Sequence, residues 1–146
     1  GISLSVAQQD RLTGTGLSVG TPSYMSPEQA TGERDLDARS DVYALGLTLY
    51  ELVALRPAFD DSDRTRLLRR IAHDSPPSLR KLNPAVPRDL ETIILKALAR
   101  EPRHRYGSAA ALAADLQRFL DAQNRAARVR HGSRPASGRD RSMGGR

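Results

Sequence analysis

Cysteine and tryptophan are absent from this 146-residue chain, and other aromatics are few, with four Tyr and two Phe. Without Cys there can be no disulfide and no thiolate metal site, a composition compatible with the cytoplasmic location expected here. With so few rings, the core must be built mostly from Leu, Ala, Ile and Val. Long apolar runs are missing too: the longest, residues 42–55, is interrupted by Thr48 and Glu51 and is too short to span a bilayer. The N-terminus Gly1-Ile2-Ser3-Leu4-Ser5 has no basic start followed by an apolar run, so no secretory signal is read there. It has no initiator Met either, as expected of a fragment or a processed chain. His73, His104 and His131 lie too far apart for a local metal motif and read as surface or packing residues, so no metal site is predicted.

Most of the chain also lacks an excess of either charge. The net charge is +6, yet residues 1–121 balance sixteen basic against sixteen acidic residues. Residues 122–146, with seven Arg and one Asp, carry the whole excess. The globular part therefore has no basic character that calls for nucleic acid, and no specific nucleic-acid partner is expected. The tail reads as a solvated linker, with contact to nucleic acid or an anionic membrane as the alternative.

What is present is helical periodicity. A chain of this length can bury roughly 70% of its unfolded surface in one domain. Residues 1–19 are polar and without period, and read as a mobile loop. Residues 20–40 read as ordered loop, with Pro22 and Pro27 restricting their predecessors and a helical turn at Glu28-Gln29-Ala30. A strong helix is predicted over Asp41–Leu55, capped by Ser40 and favoured by the charge of Asp41 at its positive end. Its apolar residues cover every face, which predicts a central, buried helix. Further helices are expected over 64–73, 88–99 and, capped by Ser108, 108–122. The last uses Leu112, Leu116, Phe119 and Leu120 as its apolar side. Pro-rich sequence over 75–87 reads as loop, and residues 122–146 read as disordered. No strand is predicted. The fold class is all-α, divided into 1–19, 20–121 and 122–146.

Four segments, residues 20–28, 40–46, 56–59 and 101–106, with Thr21-Pro22, Pro27-Glu28, Ser40-Asp41 and Arg105 among them, in order resemble the helical large, C-terminal lobe of a bacterial serine/threonine protein kinase, from the activation segment onward. Gly20-Thr21-Pro22-Ser23-Tyr24-Met25-Ser26-Pro27-Glu28 is similar to the substrate-docking loop and its Ala-Pro-Glu signature. Ser40-Asp41-Val42-Tyr43-Ala44-Leu45-Gly46 is similar to the start of the family's central helix. Arg56-Pro57-Ala58-Phe59 resembles the turn after it, and Glu101-Pro102-Arg103-His104-Arg105-Tyr106 the loop bearing the family's buried arginine. Ser26 stands where Ala is usual and Tyr43 where Trp is common.

The resemblance implies roles. Thr21, Pro22 and Tyr24 would face the substrate peptide, Thr21 in a manner that favours Ser/Thr acceptors. Glu28 and Arg105 would form a buried ion pair. Asp41 would accept hydrogen bonds from the catalytic loop, and Thr13, Thr15 and Ser18 are candidate phosphorylation sites. Protein substrates would dock through the 20–28 loop and the second helix.

The 146 residues contain no Gly-x-Gly-x-x-Gly, no Val-Ala-x-Lys and no His-Arg-Asp, so no catalytic residue is assigned. Gly1, from its interval to Gly20, is read as the last residue of an Asp-Phe-Gly. ATP and Mg²⁺ are expected for the full-length family member and not for these residues alone. The missing nucleotide lobe and catalytic loop are expected partners, and leucines and valines of the 42–53 helix that face them are expected to be exposed. The alternative function is a kinase-derived, non-catalytic protein-interaction module.

Overall fold

A computed structural model describes residues 24–132. The chain forms α1 (Pro27–Ala30), α2 (Ala38–Ala54), α3 (Arg64–His73), α4 (Leu79–Leu82), α5 (Arg88–Ala97), a 3-10 turn (Pro102–His104) and α6 (Ala109–Gly132). No strand occurs among the described residues. The described residues are all-α, as expected.

α2 is the hub and packs against α4, α5 and α6. On one side Tyr43, Leu47 and Tyr50 join Phe59, Ile71, Leu79 and Ile94. On the other, Val42 meets Ile93, Ala97, Tyr106 and Leu112. Each aliphatic or aromatic side chain buried in this way contributes about 1.5–3 kcal/mol. The Tyr50 hydroxyl, deep in the main cluster, donates to the Pro77 carbonyl at 2.8 Å. That bond ties the proline-rich segment to α2.

Several boundaries differ from the expectation. α2 begins at Ala38, and its cap is Asp37, whose carboxylate accepts from the Arg39 N–H at 2.8 Å. Ser40 is one turn inside the helix and buried, so it caps nothing. Apolar all round also does not become buried all round. Asp41, Leu45, Thr48 and Leu52, at spacings of four, three and four, form one exposed stripe, with Leu52 68% exposed. Of the leucines and valines expected to be exposed, Leu45 and Leu52 are, whereas Val42 is fully buried and Val53 partly so. α5 stops at Ala97, and the short α4 interrupts the segment read as loop.

α6 departs most. It runs past Ala122 to Gly132, correcting the expectation of disorder over 122–132; residues 133–146 lie outside the described residues. Residues 121–132 bury almost nothing, so packing does not hold them helical. Ala, Arg and Gln are good helix formers, neither Pro nor Gly intervenes before Gly132, and extending a nucleated helix costs little.

Candidate functional site

Ser26 starts the site. Its hydroxyl accepts from the Gln29 N–H at 3.3 Å, and the Gln29 side chain accepts from the Ser26 N–H at 2.9 Å. This reciprocal capping box, with Pro27 in the first turn, fixes α1 and aims Glu28 inward. Glu28 is only 7% exposed, an arrangement that needs a cation.

Arg105 supplies it from 77 residues away. Nη1 donates to Glu28 Oε1 at 2.6 Å and Nη2 to Oε2 at 2.8 Å, a bidentate fork. The remaining N–H groups are used as well. Nε donates to the Ala99 carbonyl (2.6 Å), Nη1 to that of Arg39 (3.0 Å) and Nη2 to that of Arg100 (2.9 Å). All five guanidinium donors are thus satisfied, the condition under which a buried ion pair is tolerated. The Tyr43 ring lies 4.7 Å from the guanidinium carbon and closes one face. The Ser40 hydroxyl gives Glu28 Oε1 a further hydrogen bond at 2.7 Å.

The electrostatics follow from this geometry. Burial alone would raise the Glu28 pKa, but the hydrogen bonds from Arg105 and Ser40 outweigh it and lower the value to about 2. Tyr43 moves the other way: burial pushes its phenol up to about 12. The loop holding Arg105 is fixed next door, where the Tyr106 hydroxyl donates to Asp115 of α6 and Lys96 Nζ sits 4.4 Å over the Tyr106 ring.

The other sequence-derived candidates are scattered. Tyr24 is 43% exposed, and its hydroxyl donates to Glu51 of α2, an acceptor that raises the Tyr24 pKa. Asp41 is exposed in the first turn of α2, its carboxylate without a hydrogen bond or ion pair among the described residues. Thr13, Thr15, Ser18, Thr21 and Pro22 lie outside the described residues. Sequence reasoning missed Ser40 as a ligand of Glu28 and Arg39, Ala99 and Arg100 as carbonyl acceptors. Ser40 had one available signal: a residue already eligible to cap, Asp37, stands one turn earlier.

A protein kinase domain model matches residues 1–116. The chain belongs to the protein kinase family. Within it, the chain is 42% identical over 125 residues to the serine/threonine-protein kinase PknB of Mycobacterium leprae, covering 84% of this chain and 20% of that protein. It is 36% identical over 127 residues to a probable serine/threonine-protein kinase of Streptomyces coelicolor, covering 87% and 19%. Against the serine/threonine-protein kinase PrkC of Bacillus subtilis it is 40% identical over 111 residues, covering 76% and 17%. The chain therefore spans about a fifth of the length of these curated kinase relatives.

The kinase family uses ATP and Mg²⁺. Among the described residues no three His, Asp or Glu side chains gather where a metal ion could sit. What they build is a fully hydrogen-bonded mount for α1. No helix among the described residues is long and apolar enough to cross a membrane.

Proposed function

We propose that this chain is the substrate-facing part of a serine/threonine protein kinase, which transfers the γ-phosphoryl group of ATP to Ser or Thr hydroxyls of proteins. The observation that carries the reading is the bidentate Glu28–Arg105 contact, which joins α1 to the α5–α6 connector. In this reading Thr21, Pro22 and Tyr24 meet the substrate peptide, Asp41 anchors the catalytic loop, and phosphorylation falls on Thr13, Thr15 or Ser18. Asp41, Leu45 and Leu52 form the surface that receives the catalytic part of the lobe, and the location is cytoplasmic.

Phosphoryl transfer is mostly positioning and electrostatic stabilisation by a Lys, a catalytic-loop Asp and metal-binding carboxylates. Residues 1–146 alone are therefore proposed to have no transfer activity. The test replaces the matching segment of Bacillus subtilis PrkC with residues 1–121. Phosphate incorporation into Ser or Thr of a protein substrate by the chimera, and none by residues 1–146, is the expected result. A folded but inactive chimera, or turnover by residues 1–146, overturns the proposal.

A second reading, a non-catalytic interaction module, draws on the charged outward face of α3, which needs no catalysis to bind a partner. An inactive chimera that still captures proteins through α3 is the result that favours it.

A further inference from the structure

α3 has two faces. Leu67 and Ile71 enter the core, while Arg66, Arg69, Arg70 and His73, at spacings of three, four and seven, line the other side. These four, with Asp61 and Asp74, surround a hollow of about 560 Å³. A neighbouring hollow of about 240 Å³ shares Arg70 and adds Arg56 beside Tyr50, Pro57 and Leu82.

The guanidiniums are unevenly engaged. Arg66 reaches Asp61 at 3.1 Å and Arg70 Nε lies 3.6 Å from Asp74. Arg66 and both members of the Arg70–Asp74 pair are exposed, so these pairs are weak and open to an incoming carboxylate, although Asp61 is largely covered and Arg70 Nη1 also donates to the Asp60 carbonyl. The side chains of Arg56 and Arg69 make no ion pair or hydrogen bond among the described residues. A guanidinium fork matches a carboxylate in shape and charge. Residues 56–74 also hold four Asp beside their five Arg, which repel a continuous polyphosphate but leave room for a short run of separate carboxylates.

We propose that the outward face of α3 binds an acidic segment of a partner protein, with Arg69 as the central contact and Arg66 and Arg70 exchanged onto it from Asp61 and Asp74. Resting on the kinase reading above, the partner is a protein substrate that carries Asp or Glu residues at a distance from its acceptor hydroxyl. The placement suits that role. α3 packs against α1, and Arg100 donates to the His73 carbonyl at the end of α3 while its own carbonyl accepts from Arg105. The acidic-segment site and the Glu28–Arg105 mount are therefore parts of one packed unit.

The test is fluorescence anisotropy of a labelled Glu-rich peptide, and of its counterpart with Gln at every Glu, titrated with the 146-residue chain. The Glu peptide is expected to bind at least about fivefold more tightly than the Gln peptide, and to weaken as salt is raised. Arg69→Glu is expected to remove that advantage, and Arg128→Glu, on the far end of α6, to leave it intact. Arg69→Gln supplies a second variant without a reversed charge, expected to show the same loss with unchanged thermal melting. Equal binding of the two peptides, or undiminished binding by both Arg69 variants, overturns the proposal. So does a labelled single-stranded oligonucleotide that binds more tightly than the Glu peptide and loses affinity with Arg69. Catalysis is not read in this experiment, so failure of the kinase reading leaves its outcome unaffected.

Discussion

Arg105 holds Glu28 by both carboxylate oxygens while its other donors engage the carbonyls of Arg39, Ala99 and Arg100. One side chain thereby joins α1, the start of α2 and the α5–α6 connector. Arg105→Ala leaves Glu28 buried without its cation and three carbonyls without a donor. The expected cost is about 3–5 kcal/mol in urea denaturation. Arg105→Lys lacks the planar fork and is expected to recover less than half of that. A double Glu28→Gln, Arg105→Met variant is expected to be more stable than Arg105→Ala, because it leaves no charge stranded. Arg105→Ala within about 0.5 kcal/mol of the parent, the scatter of ordinary surface substitutions, would falsify this account of the pair.

The same pair sets an acid dependence. The folded-state pKa of Glu28 is depressed from 4.5 to about 2, so the unfolded chain takes up the proton more readily. Its contribution is complete above pH 4.5 and is lost as pH falls toward 2, amounting to roughly 3 kcal/mol. Glu91, which accepts from the Arg80 N–H and the Ser78 hydroxyl, and Asp115, beside Tyr106 and Arg118, are also lowered and slope in the same direction. Glu28→Gln is therefore expected to flatten the profile of unfolding free energy between pH 4.5 and pH 2 without abolishing its slope. An unchanged profile in the variant would place the acid sensitivity elsewhere.

The elements carried by strong local patterns were legible in the sequence. α3 has its expected bounds, Arg64–His73, because Leu67 and Ile71 alternate with arginines at helical spacing and an aspartate precedes it as cap. Ser40 was not legible as a ligand of Glu28. Both Asp37 and Ser40 are eligible caps, and only the fold shows that Ser40 is needed twelve residues away. The Glu28–Arg105 contact has no local signature; what pointed to it was the likeness of two separate segments to a kinase lobe. For residues 122–132 the signal of a missing apolar stripe was read as missing structure, although helix propensity and a preceding helix are enough. The exposed Leu45 and Leu52 carry the opposite lesson, since a helix apolar on every face does not tell which face stays uncovered.

Gly46 is a close-approach position that the sequence does not announce. A Cβ built on it would lie 2.9 Å from Ala97 Cβ and 3.0 Å from Leu98 Cδ2, where α2 crosses α5. Ala97 Cβ is fixed to its backbone and cannot rotate away. Gly46→Ala gains about 1 kcal/mol of helix propensity, but overpacking costs about 1–3 kcal/mol. A net loss of about 1 kcal/mol is expected. Adding Ala97→Gly removes the clash and is expected to restore part of the packing, so that the double variant falls by less than the sum of the two singles. Strict additivity would show that the two positions do not press on each other.

Leu55 ends α2 in a left-handed conformation, φ 59° and ψ 25°, with its N–H donating to the Glu51 carbonyl at 2.8 Å. A branched side chain is strained there, and this one is 88% exposed, so it recovers little by burial. Glycine adopts the same backbone without the Cβ clash and is the residue helices most often use at this position. Leu55→Gly is therefore expected to raise stability by about 0.5–1 kcal/mol, despite the extra freedom glycine has in the unfolded chain. Leu55→Ala keeps the Cβ and is expected to stay within about 0.3 kcal/mol of the parent. The contrast between the two variants in thermal melting separates backbone strain from loss of the leucine side chain. If Ala gains as much as Gly, the benefit comes from removing an exposed apolar group and the turn carries no strain.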